Sequence, residues 1–158
     1  MGQILTEDEL AEAVRADRAA GRTIAFANGC FDVLHVGHVR YLAGAKAEGD
    51  RLVVAINDDT SVENLKGVGR PILRAADRAE LVAALESVDY VVLFPDADVK
   101  RLLALLKPDV HCKGTDYTPE TVPERKTVQG YGGRIAIVGD PKKHSTRDFV
   151  SRVKSESR

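Results

Sequence analysis

The chain has 158 residues, a formal net charge of -1, and 44% hydrophobic against 30% charged residues, the balance of an ordinary soluble globular domain. That near-neutrality excludes a global field drawing it to nucleic acid or anionic lipid, so any anion site must come from local clusters of Lys and Arg. Cys30 and Cys112 are too few for a disulfide framework, and no apolar run approaches the ~18 residues of a membrane span.

The opening M-G-Q-I-L-T-E-D-E-L lacks a basic stretch followed by an apolar one, so no signal peptide is expected and the expected location is cytoplasmic. Thr6 and Glu9 form a capping-box pattern, and Leu10, Val14 and the alanines carry a helix to about residue 20, where Gly21 stops it. T-I-A-F-A (23–27) is a buried strand, and Asn28-Gly29 reads as a tight turn after it. A helix over 37–48, a strand over 51–57 and a polar, glycine-containing link over 58–72 follow. Helix 74–86, strand 88–94, helix 98–106 and strand 109–113 continue the alternation. A helix over 120–129, strand 134–138 and a last helix over 145–154 complete it.

The strands are apolar without polar alternation, as in a parallel sheet covered on both faces. Strands alternating with helices through short links predict one domain over 1–158, Rossmann-like, a three-layer α/β/α arrangement with a five-stranded parallel sheet. Its parts are an N-terminal helix (1–20) and a core over 21–150. Such sheets bind ligands beyond the carboxyl ends of their strands, at the topological switch point. The segments there hold or adjoin all four histidines, His35, His38, His111 and His144, together with Lys113, Lys142 and Lys143. Lys66, Arg70 and Arg74 fall in a neighbouring loop. Cations gathered at one edge of an almost neutral protein point to an anionic ligand.

The stretch H-V-G-H (35–38) sits where the first predicted strand hands over to a helix. Gly37 lets a ligand approach the backbone there, and a helix start attracts anions through its N–H groups and dipole. His35 and His38, three apart, share a face and can both donate to one phosphate. Cys30, His35, His38 and Cys112 have the chemistry of zinc ligands but not the spacing of a zinc motif, so no metal site is expected. The chain has no G-x-x-x-x-G-K-[ST], so it is not a P-loop kinase.

N-G-C-F-D-V-L-H-V-G-H (28–38) resembles the [TN]-x-F-D-x-x-H-x-G-H signature of the cytidylyltransferase-like nucleotidyltransferases. S-V-E-N-L-K-G (61–67), G-R-P-I (69–72), V-D-Y-V-V-L-F (88–94), P-D-V-H-C-K-G-T-D-Y (108–117) and H-S-T-R (144–147) are similar to the branch that adenylylates heptose 1-phosphate. The resemblance runs from about residue 21 to residue 150. It implies transfer of AMP from ATP to a sugar 1-phosphate, with release of pyrophosphate and formation of ADP-heptose. His35, His38 and Lys66 then serve catalysis by stabilising phosphate charge. Asn28, Gly29, Cys30, Phe31, Asp32, Gly37, His38, Lys113, Asp116, Ser145 and Thr146 hold the nucleotide, with Asp32 near the triphosphate and its magnesium. Lys66 and Arg70 bind substrate or product phosphate. Mg²⁺ is implied as a cofactor held mainly through the phosphates of ATP, and the partners implied are small molecules and a second copy of the chain in a homodimer. Cytidylyl transfer to glycerol 3-phosphate, or a non-catalytic nucleotide-binding module, are the alternatives. The sequence departs from the pattern where Arg147 replaces the second threonine of S-T-T, and across T-V-P-E-R-K (121–126). Both departures fall where base and acceptor are read.

Overall fold

The apolar runs become parallel strands because helices bury both sheet faces. The computed structural model of the chain describes residues 1–141 and 145–157. Lys142, Lys143 and His144, counted above among the groups at the binding edge, lie outside the described residues. The strands are β1 (Gln3–Ile4), β2 (Ile24–Gly29), β3 (Arg51–Asn57), β4 (Tyr90–Phe94), β5 (Val110–Lys113) and β6 (Arg134–Ile137). The helices are α1 (Glu7–Ala19), α2 (Val36–Lys46), α3 (Asp59–Lys66), α4 (Ala75–Ala83), α5 (Lys100–Leu106), α6 (Arg125–Gly130) and α7 (Thr146–Glu156).

The sheet has six strands rather than the five expected, in the order β1-β4-β3-β2-β5-β6. The extra strand, β1, pairs Gln3 with Tyr90 and Ile4 with Val91 at the edge. Two partly polar residues are too short to display a period, which is why the sequence hides them. The glycine-containing link also holds a helix, α3, started by Asp58, whose carboxylate accepts the Ser61 N–H at 2.8 Å. Asn28 and Gly29 are not a turn. They extend β2, paired with Ala55 and Ile56 of β3.

Successive strand residues point to opposite faces. Ala25, Ala27, Leu52, Val54 and Val91 pack with Leu42 of α2 and Val82 of α4. Ile24, Phe26, Val53, Val92 and Phe94 pack on the other side with Leu10 of α1, Leu102 and Leu103 of α5 and Val128 of α6. The capping box at Thr6 and Glu9 is present and starts α1. From β2 the chain proceeds outward to β3 and β4, then crosses back to place β5 on the other side of β2. The switch point therefore lies between the ends of β2 and β5. Among the described residues no helix is long and apolar enough to cross a membrane.

Candidate active site

A cleft of about 880 Å³ opens at this switch point. Of the residues expected to act, Asn28, Gly29, His35, Gly37, His38, Lys66, Lys113, Asp116, Ser145 and Thr146 line it. Cys30, Phe31, Asp32 and Arg70 do not, and each has another place.

The turn from β2 into α2 is conformationally costly. Phe31 and Val33 have φ of 50° and 59°, the left-handed region that a β-branched residue rarely enters. Such residues cost on the order of 1–3 kcal/mol each and persist only where their surroundings hold them. Three devices do so. Phe31 is buried at 3% exposure. The Thr146 hydroxyl of α7 donates to the Asp32 carbonyl at 2.7 Å and approaches that of Val33 at 3.3 Å. The Asp32 carboxylate accepts from the amides of Ile72 and Leu73 at 2.7 and 2.9 Å and from Arg70 Nε at 2.9 Å. Burial alone would raise the Asp32 pKa, but those two amides and Arg70 outweigh it and hold the carboxyl below its usual range. Asp32 is thus a buried clamp on the 70–73 segment.

The same turn delivers the histidines. His35 is the N-cap of α2 and its Nδ1 accepts the Gly37 N–H at 3.1 Å, while His38 Nδ1 accepts the His35 N–H at 3.2 Å. The pair forms a capping box made of imidazoles. An Nδ1 that accepts an amide proton leaves the ring proton on Nε2, so each neutral ring keeps an Nε2–H donor. The Gly37 N–H is thus taken up by His35, while Gly37 itself lines the cleft. The two rings stack at 3.9 Å between centroids, with Phe31 at 5.4 Å from His38 and Phe149 of α7 at 5.7 Å from His35. A column of four rings thereby fixes α2 against α7.

Ser145 caps α7, its hydroxyl oxygen accepting the Asp148 N–H at 3.1 Å. The Thr146 hydroxyl, expected to hold phosphate, is committed to the strained turn. On the far wall Lys113 Nζ lies 4.7 Å from the Tyr117 ring centroid, and Thr115 donates to the Asp140 carbonyl at 2.8 Å. Arg40 pairs with the Asp140 carboxylate at 2.9 Å.

Burial pushes the Cys30 thiol up, against the cations Lys66, Arg78 and Arg70, and burial pushes Cys112 up to about 12. Among the described residues no group of three or more His, Cys, Asp or Glu is placed to hold a metal ion.

The sequence reading missed Arg78. This α4 side chain is fully buried and donates through Nη1 to the Cys30 and Asn57 carbonyls at 2.7 and 2.8 Å. Its Nε reaches the Leu73 carbonyl at 2.9 Å and its Nη2 reaches Asp59 at 2.8 Å. It joins the ends of β2 and β3 to the 70–73 segment. The signal was an arginine on the apolar stripe of Ala79, Val82 and Ala83. Arg40, Tyr41 and Arg147 also line the cleft without having been singled out as site residues.

A doubly wound sheet with two helix starts and two imidazoles around its switch point forms a cleft suited to a phosphate-bearing ligand. The chain belongs to the cytidylyltransferase-like family, whose model matches residues 26–152. It is 47% identical over 146 residues to the "Bifunctional protein HldE" of Geobacter metallireducens, covering 92% of this chain and 30% of that one. It is 45% identical over 152 residues to the protein of the same name from Pseudomonas fluorescens, covering 96% and 32%. The chain thus spans about a third of the length of these relatives. Among solved structures, it is similar to the lipopolysaccharide core biosynthesis protein of Thermoplasma volcanium, with TM-score 0.67, 28% identity and coverage of 77% of this chain and 100% of that one. The pantoate-beta-alanine ligase of Francisella tularensis, with TM-score 0.65 and 16% identity over 92% of this chain and 69% of that one, shares the fold.

Proposed function

We propose that this domain transfers AMP from ATP to heptose 1-phosphate, releasing pyrophosphate and forming ADP-heptose in the cytoplasm. The observation that supports this reading is the imidazole capping box in the cleft at the switch point, where both Nδ1 atoms accept backbone amides, so a neutral ring carries its proton on Nε2. Relatedness to the HldE proteins over more than nine-tenths of this chain supports the choice of acceptor.

A phosphate oxygen of the sugar phosphate attacks the α-phosphorus, the new P–O bond forms, and the bond to the β-phosphate oxygen breaks in line as pyrophosphate leaves. No protein nucleophile is required, so the residues position the reactants and neutralise charge. His35 and His38 donate to α-phosphate oxygens as charge builds there, a role for preorganised donors. Asn28, Gly29, Lys113, Asp116 and Ser145 form the nucleotide's walls, and Lys66 neutralises phosphate. Cys30 and Phe31 act from behind, through the backbone of the turn, and Arg70 acts beside the cleft. Magnesium would travel on the triphosphate and offset its charge. Three of the acceptor sites of the Asp32 carboxylate are taken by the 70–73 segment, so no protein cage is assigned to the ion. A homodimer is the proposed assembly, and light scattering at assay concentration that finds only a monomer would end that part.

The test is a grid of nucleoside triphosphates against phosphorylated acceptors, scored by pyrophosphate release. ATP with heptose 1-phosphate is expected to stand out. Preferred turnover of CTP with glycerol 3-phosphate would replace this reading, and no turnover with any pair would favour a non-catalytic module.

A further inference from the structure

The ladder between β2 and β5 stops early. Ala25 pairs with Val110 and Phe26 with His111, and no further pair follows among the described residues. Yet β2 stays paired with β3 as far as Gly29, and β5 with β6 as far as Lys113. The two strands therefore part at their carboxyl ends. The cleft opens there, with Asn28 and Gly29 on one side and Lys113 and Asp116 on the other.

Tyr41 of α2 stands where the strands part. It follows His38 by three residues, so both share one face of the helix. Its hydroxyl donates to the Cys112 carbonyl of β5 at 2.6 Å, and the backbone of Asn28 in β2 hydrogen-bonds to the same oxygen. Two glycines let α2 come this close to the sheet. A Cβ on Gly44 would stand 3.1 Å from the Gly139 nitrogen, and one on Gly139 would stand 3.2 Å from the Tyr41 Cα. If the pairing continued in register, Cys112 would come opposite Ala27, with its carbonyl within reach of the Asn28 N–H. The phenol occupies the place of that rung. Its single O–H is spent on Cys112, so it has no proton left to donate to a ligand.

We propose that Tyr41 is a positioning residue, a spacer whose hydroxyl replaces one rung of the sheet and so sets the width of the nucleotide cleft between Asn28 and Lys113. The proposal rests on the reading of the cleft as a nucleotide site and adds the group that holds its walls apart. Without the hydroxyl, a buried carbonyl and an amide lose their partner, a cost that direct pairing of the two strands relieves. Asn28 and Lys113 then draw together, and an entering nucleotide must separate them. That cost falls on binding rather than on the chemical step, so KM carries it and kcat does not.

The experiment compares the wild-type chain with Tyr41→Phe and with a variant carrying p-aminophenylalanine in place of Tyr41. Tyr41→Phe keeps the ring and removes the oxygen, whereas the amino group restores a donor of similar reach. Calorimetry measures affinity for a non-hydrolysable ATP analogue, and kinetics separate KM for ATP from kcat. NMR reads the scalar coupling across a hydrogen bond from the Asn28 N–H to the Cys112 carbonyl. In Tyr41→Phe, analogue affinity and KM are expected to worsen about three- to tenfold, the worth of one hydrogen bond, while kcat stays within about twofold. The coupling should be absent in wild type, appear in Tyr41→Phe and vanish again with the amino group, which also recovers affinity. Unchanged analogue affinity in Tyr41→Phe overturns the proposal, as does a fall in kcat at constant KM. It is equally overturned if no coupling appears in Tyr41→Phe, or if the amino variant binds no better than Tyr41→Phe. If the wild-type chain fails to bind the analogue, the nucleotide reading falls, while the coupling still decides whether Tyr41 keeps the strands apart.

Discussion

Each histidine of H-V-G-H does two jobs with two nitrogens. Nδ1 caps the start of α2 and, in the proposed reaction, Nε2–H donates to phosphate, so removing a ring removes both. His38→Ala is expected to lower turnover about 10²- to 10³-fold, the usual effect of losing one preorganised donor. It also removes a cap, at about 1 kcal/mol of stability. His38→Asn separates the two, because the Asn carbonyl can still accept the His35 N–H. Thermal melting should then recover toward wild type while pyrophosphate release stays low. Full recovery of turnover in His38→Asn would show that only the cap matters. The doublet was legible in the sequence as two residues sharing a face beside a phosphate. Its capping role was not, since imidazole is seldom read as an N-cap and the pattern has no Ser, Thr, Asp or Asn at that position.

At the scale of elements, α7 and α4 reach the site by opposite chemistry, a neutral hydroxyl and a buried cation. Thr146→Val keeps the shape but leaves the Asp32 carbonyl buried without a donor, which costs about 1–3 kcal/mol. The strained turn then loses one of its restraints, so KM for ATP is expected to rise more than kcat falls. A wild-type KM in that variant would disconnect α7 from the turn. Arg78→Met removes a guanidinium that serves three carbonyls and one carboxylate, and is expected to destabilise by about 3–5 kcal/mol in urea unfolding. A loss below about 1 kcal/mol would mean that water replaces it. Most strands and helices followed from unbroken apolar runs and caps such as Thr6 with Glu9. α3 escaped because only Val62 and Ser61 of it are buried, too few to mark a face. The contacts of Asp32 escaped because they join residues about 40 positions apart, and only the folded sheet brings them together.

For the molecule as a whole, acid response is set in part behind the site. His111 on β5 is fully buried, with Nε2 3.5 Å from Glu124 Oε2 and no hydrogen-bond partner at either ring nitrogen. Burial holds the imidazole below its ordinary pKa, partly opposed by Glu124. Burial pushes Glu124 the other way, yet His111 and Lys113 keep that carboxyl below its usual value. Below about pH 6.5 the unfolded chain takes up a proton at His111 that the folded protein resists, so stability is complete above that value and falls as pH drops through the window beneath it. Stability attributable to Glu124 is lost further down, below the ordinary carboxylate pKa of about 4.3. The urea midpoint should therefore be lower at pH 5 than at pH 7.5, and the double change His111→Leu with Glu124→Gln should narrow the gap. An unaltered gap in the double variant would place the acid sensitivity elsewhere.

Asp32 is held at its backbone by α7 and at its carboxylate by the 70–73 segment. A single residue is therefore a strut between that segment and the turn that carries His35 and His38. A ligand at the cradle that shifts the Asp32 backbone would shift the 70–73 segment with it, and by thermodynamic reciprocity anything held by that segment would act back on the cradle with the same coupling free energy. Order of binding and release would then be written into one carboxylate.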